Sequence, residues 1–134
     1  MEIVVVDTDV VSYIFKQDTR AAFYEQYLDD KDVLISFFTL AELQRWSIAH
    51  RWGHAKRRHL AEHLNSYYVF HSDADLCLLW AEIIEQGNRK GRPIQPNDAW
   101  IAATALLHDT PLVTHNSKDY AGVEGLTIIS ESNS

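Results

Sequence analysis

Four carboxylates stand where chemistry could be done: Asp7, Glu42, Asp98 and Asp119. Asp7 ends the apolar run Ile3-Val4-Val5-Val6, and Asp9 follows two residues later. Glu42 lies three residues after Thr39, Asp98 follows Pro96-Asn97, and Asp119 comes shortly after Leu112-Val113-Thr114. Taken singly, each acid reads as a helix cap or a solvated charge, and Thr39 with Glu42 has capping-box spacing. Taken together they describe a different object. Two unit charges 4 Å apart in an effective dielectric of about 20 interact by about 4 kcal/mol. Four carboxylates in one crevice must therefore be protonated, meet basic groups or bind cations. Their hard oxygens suit Mg²⁺ or Mn²⁺, and such an ion activates water and neutralises phosphoryl oxygens.

The elements that must position these acids are legible in the apolar pattern. Short β-branched or apolar runs at 3–6, 33–36, 67–70, 111–114 and 126–129 read as buried strands. Helical stretches fall between them, at 10–15, 19–28, 39–51, 54–66, from a cap at Asp73 to about Gly87, and at 99–107. Leu76, Leu79, Trp80, Ile83 and Ile84 keep helical spacing, and Cys77 reads as a small buried companion. Gly53 reads as the end of the third helix. This helix carries apolar residues around much of its circumference, which implies burial or a partner. Alternating strands and helices indicate a three-layer α/β/α fold on a mainly parallel five-stranded sheet. In such a sheet the strand C-termini share one edge, so Asp7, Glu42 and Asp119 can converge there. The helix carrying Asp98 begins at the same edge.

Composition narrows the class. A chain of 134 residues suits one domain, 1–134, ending in a loose tail at 131–134. A net charge of -7 argues against coating nucleic acid by bulk charge, though not against a local basic patch. The single cysteine excludes an internal disulfide and fits a reducing compartment. With no signal-like N-terminus and no apolar run of membrane length, the expected location is the cytoplasm, with no membrane partner.

Five segments carry a resemblance to a known family. They are Val6-Asp7-Thr8-Asp9; Thr39-Leu40-Ala41-Glu42-Leu43; Gly91-Arg92-Pro93-Ile94; Asn97-Asp98-Ala99-Trp100-Ile101-Ala102-Ala103-Thr104-Ala105; and Leu112 through Tyr120. In this order and at this spacing, the chain resembles the PIN-domain ribonucleases, and among them the VapC-type toxins of bacterial toxin–antitoxin pairs. The resemblance implies a parallel five-stranded sheet between helices and a metal-dependent endoribonuclease leaving 5′-phosphate and 3′-hydroxyl ends. It makes Asp7, Glu42 and Asp98 the metal-site acids and Asp119 the fourth, with Thr114 and Asn116 as polar supports. Tyr120 stands where Phe is usual, and Asp9 where Asn is common, adding a charge in or beside the site. The implied substrate is RNA, tRNA first. The implied partners are a VapB-like antitoxin lying over the active site, gripped by the helical hairpin through Leu43 and Trp46, and a second copy of the chain in a homodimer.

Other features admit two readings. Arg51, Lys56, Arg57 and Arg58, joined by Arg89, Lys90 and Arg92, are either solvated helix faces or an RNA-backbone patch. Trp46, one turn after Glu42, either walls the cleft or packs in the core. His50, His54, His59 and His63 include two i, i+4 pairs, but these straddle a helix break and lack a His-Glu-x-x-His pattern, which argues against zinc. Two rivals remain: a receiver-type domain with Asp73 or Asp75 as phosphoacceptor, and a PIN fold that binds RNA or a partner without cutting.

Overall fold

The computed structural model describes residues 2–131, so most of the expected tail, 132–134, lies outside the described residues. Five strands, β1 (Ile3–Val6), β2 (Asp32–Ser36), β3 (Tyr68–Phe70), β4 (Leu112–Val113) and β5 (Ile128–Ile129), form one sheet in the order β3-β2-β1-β4-β5. Every pairing is parallel. The helices are α1 (Thr8–Lys16), α2 (Ala21–Leu28), α3 (Phe37–Ala49), α4 (His54–Leu64), α5 (Ala74–Arg89) and α6 (Pro96–Leu107), with a 3₁₀ turn at Ser117–Tyr120.

Strand alternation divides the core into two layers. Val4, Val6, Ile35 and Val113 pack among residues of α1 to α4, including Val10, Phe15, Tyr24, Leu43 and Leu60. Val5, Leu34 and Leu112 point to the opposite face, against Leu76 and Ile83 of α5 and the alanines of α6. Ala99, Ala102, Ala103 and Ala105 are fully buried, and their small side chains let α6 lie close on the sheet. The three-layer α/β architecture expected from the sequence is therefore present. The strand order also removes the receiver rival. A receiver sheet runs 2-1-3-4-5, whereas here β3 lies outside β2, and Asp73 is an N-cap whose Oδ1 accepts from Leu76 N at 2.8 Å.

Several local expectations are corrected. Helix α3 starts at Phe37, because Ser36 Oγ caps it by accepting from Phe38 N at 3.0 Å. Thr39 is thus buried within the helix, and the capping box with Glu42 does not form. The same helix ends through Arg51 in a left-handed conformation (φ 53°), two residues before Gly53. Arg20, with no side-chain cap bond, precedes α2 in place of Thr19. Cys77 is exposed, on the outer side of α5. Helix α5 also continues through Gly87 to Arg89. A Cβ at Gly87 would stand 2.9 Å from Arg92 O, so the glycine permits the following loop to fold back on the helix. No helix among the described residues is long and apolar enough to cross a membrane.

Candidate active site

Asp7 is the buried centre of the site. It follows β1 and caps α1, with Oδ1 accepting from Thr8 N at 2.7 Å. Its Oδ2 accepts from Thr114 Oγ1 at 2.8 Å and from Tyr120 OH at 2.9 Å. Thr114 follows β4 and Tyr120 ends the 3₁₀ turn, so adjacent strands in the sheet supply both the acid and its supports. The Thr114 hydroxyl also accepts from Asn116 N at 3.0 Å, which sets the turn beyond β4. Burial raises the Asp7 carboxyl above its ordinary value despite these donors, and the Asp119 charge adds to the rise.

The other acids line the same cleft, with Thr8, Ser12, Leu43, Arg45, Trp46 and Asn116. Glu42 Oε1 accepts from Thr8 Oγ1 at 2.7 Å, and Thr8 Oγ1 lies 3.0 Å from the Thr39 hydroxyl. Thr8 has one proton to give. It goes to Glu42, and Thr39 donates in return. Burial, then the Asp7 charge, raise the Glu42 carboxyl. Asp98 stands in the first turn of α6, where the helix N-terminus favours negative charge. Burial and the charges of Asp7 and Asp119 nevertheless push it up to about 7. Tyr120 OH lies 3.4 Å from Asp98 Oδ1 while donating to Asp7. A protonated Asp98 can return a hydrogen bond to that phenol oxygen.

Asp9 belongs to the cleft rather than to the surface beyond it. Its Oδ1 accepts from Val10 N at 2.7 Å, and its Oδ2 from His115 N at 3.0 Å and Asn116 Nδ2 at 2.9 Å. Burial, followed by the Asp7 charge, pushes Asp9 up to about 7. No Lys, Arg or His forms an ion pair with Asp7, Asp9, Glu42, Asp98 or Asp119 among the described residues. The repulsion argued from the sequence is therefore met by raised carboxyls and hydrogen-bond donors, with Arg45 at the cleft wall, rather than by an ion pair.

The remaining candidates divide. Leu43 is 2% exposed and shapes the cleft wall from within the core, while Trp46 is half-buried and faces the cleft. Lys16 Nζ sits 3.8 Å above the Trp46 ring, Trp52 lies beside it at 5.9 Å between centroids, and Lys56 Nζ sits 4.0 Å above Trp52. Arg51, Arg57 and Arg58 are exposed, and none of them lines the cleft. Across the site, Lys90 pairs with Glu124 at 3.0 Å, and Arg92 lines a second cavity reached past Asp119. Arg89 is the exposed last residue of α5. Three of these histidines touch aromatic rings, His59 and His63 against Phe15 and His50 against Trp46, while His54 is exposed. Among the described residues no three His, Cys, Asp or Glu side chains form a ready-made metal cage. Sequence reading missed Thr8, Ser12 and Arg45. Their signal was helical spacing, since Ser12 is three residues after Asp9 and Arg45 three after Glu42.

Comparison with known proteins agrees with this fold. The chain is 28% identical over 126 residues to Ribonuclease VapC1 of Haemophilus influenzae (strain R2866), covering 92% of this chain and 94% of that protein. Its fold superposes on VapBC2 from Rickettsia felis, solved bound to a promoter DNA fragment, with a TM-score of 0.83 at 23% identity, covering 96% of this chain and 98% of that one. VapBC-1 from nontypeable Haemophilus influenzae gives a TM-score of 0.76 at 26% identity, covering 96% and 97%. The PIN domain profile matches residues 4–125, and with nearly the whole chain so matched, this protein belongs to the PIN-domain family.

Proposed function

We propose that this chain, as a single PIN domain, is the ribonuclease toxin of a VapBC-type pair: a Mg²⁺- or Mn²⁺-dependent endoribonuclease that cuts RNA, tRNA first, and so blocks translation. The observation that carries the reading is the set of five acids in one cleft, none of them ion-paired among the described residues although Arg45 lines the same cleft. The donor set fits the ion. All five are hard oxygen ligands, and two of them stand near 7, so a cation would relieve their repulsion. Mg²⁺ keeps several waters and takes one or two carboxylates directly, which an open cleft of this kind accommodates.

In this reading Asp7 and Asp98 hold the ion directly. The bound ion supplies an activated water and charge neutralisation at the phosphoryl oxygen. Thr114, Tyr120 and Thr8 fix both oxygens of Asp7, so its direction is set before any ligand arrives. Glu42, steadied by Thr8, and Asp119, at the cleft edge, orient the attacking water. Asp9 stays tied to the turn beyond β4 and tunes the charge of the site.

The similarity to Ribonuclease VapC1 and to VapBC structures supports a VapB-like antitoxin as partner. On this reading it covers the cleft with Trp46 as a contact, and the toxin is homodimeric and cytoplasmic. The antitoxin would bring to the acids a paired basic group, which Arg45 at the cleft wall does not provide among the described residues. The test is cleavage of total tRNA and ribosomal RNA by antitoxin-free protein in Mg²⁺, Mn²⁺ or EDTA, beside Asp98→Ala. Discrete fragments that require both metal and Asp98 are expected. Equal cleavage by the variant would place the chemistry elsewhere, and none by either would favour a PIN fold that binds without cutting.

A further inference from the structure

A second cavity adjoins the acidic cleft. It measures about 210 Å³ and is walled by α5, the loop that follows it and the 3₁₀ turn. Asp119 lines both spaces, so the cavity opens beside the acids. Besides Asp119, three of its residues are polar and point to one kind of guest. Arg92 and Lys118 form no ion pair among the described residues, and Gln86 offers an amide that both donates and accepts. Ile83, Pro93, Ile94 and Val123 supply apolar walls.

Glycines hold this shape open. Gly87 admits the Arg92 backbone, and a Cβ at Gly122 would stand 3.4 Å from both Cβ and Nε of Arg92. The Arg92 side chain therefore lies along the Gly122 backbone, bringing its planar guanidinium to the cavity wall. Unstacked RNA bases are held by guanidinium planes and by hydrogen bonds to their edges, with cations on the flanking phosphates. The volume falls below the roughly 300–1,000 Å³ of sites for drug-sized ligands, so the guest is one ring system rather than a folded stem.

We propose that the cavity formed by Gln86, Arg92, Lys118 and Gly122 receives a single splayed base of the RNA, next to the phosphate held at the acids, and so sets base preference at one position beside the cut. Gln86 reads the base edge, Arg92 stacks on its face, and Lys118 meets the adjoining phosphate. This inference rests on the nuclease reading for its RNA.

Two substitutions test it without touching the acids. Gln86→Leu keeps the bulk and removes the amide, and Gly122→Val displaces Arg92 at a glycine whose φ is not in the left-handed region. Each is compared with wild-type protein by sequencing the cut ends from total RNA, by KM and kcat on a short single-stranded substrate, and by metal-free binding of a 2′-deoxy hexanucleotide. The expected result is relaxed preference at one position beside the cut, with KM raised about tenfold, the size of one lost side-chain–base contact, and kcat nearly unchanged. Unaltered preference and KM in both variants would overturn the pocket and leave the nuclease standing. A fall in kcat alone, with preference intact, would also overturn it, since the cavity would then merely support Asp119. Should wild-type protein never cut yet bind the hexanucleotide in a way both variants weaken, the base pocket would stand and the nuclease would fall.

Discussion

Asp9→Asn probes the charge balance of the cleft most directly. Raising the Asp9 carboxyl from 3.8 to about 7 opposes its ionisation by about 4 kcal/mol. The group borders the open cleft, and solvent screening there leaves about 2–3 kcal/mol. The sign follows from proton counting. Between about pH 4 and pH 7 the folded chain holds a proton on Asp9 that the unfolded chain has lost, so stability falls as pH rises through that window. Asparagine removes this penalty and loses something in exchange. Its oxygen keeps the bonds from both His115 N and Asn116 Nδ2, but the Val10 N–H then faces an NH₂ group. That mismatch costs about 1 kcal/mol. At pH 8, metal-free in EDTA, the variant should be more stable by about 1–2 kcal/mol, or roughly 3–8 °C in Tm. At about pH 3, below the ordinary value of 3.8, Asp9 is protonated in the folded and the unfolded wild-type chain alike, so only the mismatch remains and the variant should be slightly less stable. Thermal unfolding of both proteins at the two pH values measures the crossover. A variant less stable by the same amount at about pH 3 and pH 8 would refute the argument that burial and like-charge crowding govern this carboxyl.

Two further outcomes follow from the same geometry. Asp9 and Asp98 both stand near 7, so protons compete with the cation. Apparent Mg²⁺ affinity, measured by calorimetry, should rise at least about tenfold from pH 6 to pH 8, and a flat profile would mean that the ion does not meet these acids. Tyr120→Phe removes a buried hydroxyl that donates to Asp7 at 2.9 Å. It should destabilise the metal-free fold at pH 8 by about 1–3 kcal/mol, the cost of leaving a buried oxygen one donor short, in denaturant unfolding. A change below about 0.5 kcal/mol would show that Thr114 and Thr8 satisfy Asp7 without it.

Much of this protein was settled by local pattern. The runs at 3–6 and 33–36 are apolar without alternation because both faces of those strands are buried, and that property is written residue by residue. Parallel strands separated by helices then require a common C-terminal edge, which is why Asp7, Glu42, Asp98 and Asp119 could be gathered before any contact was seen. Local pattern misled where a residue's partner is distant in sequence. Thr39 and Glu42 have capping-box spacing, yet Thr8, thirty-four residues from Glu42, takes the glutamate instead. Cys77 sits among apolar residues in sequence but faces outward, because helical phase decides exposure. Asp9 was ambiguous by position, and only the turn after β4, folded against it, shows that its charge belongs to the cleft. Arg45, Ser12 and the cavity between α5 and the 3₁₀ turn needed the packed structure as well, since a concave surface is made by elements far apart in the chain. Sequence alone determined which side chains could do chemistry and which edge they share. Tertiary packing decided which hydrogen bonds aim them, how far burial moves their protons, and what lies next to them.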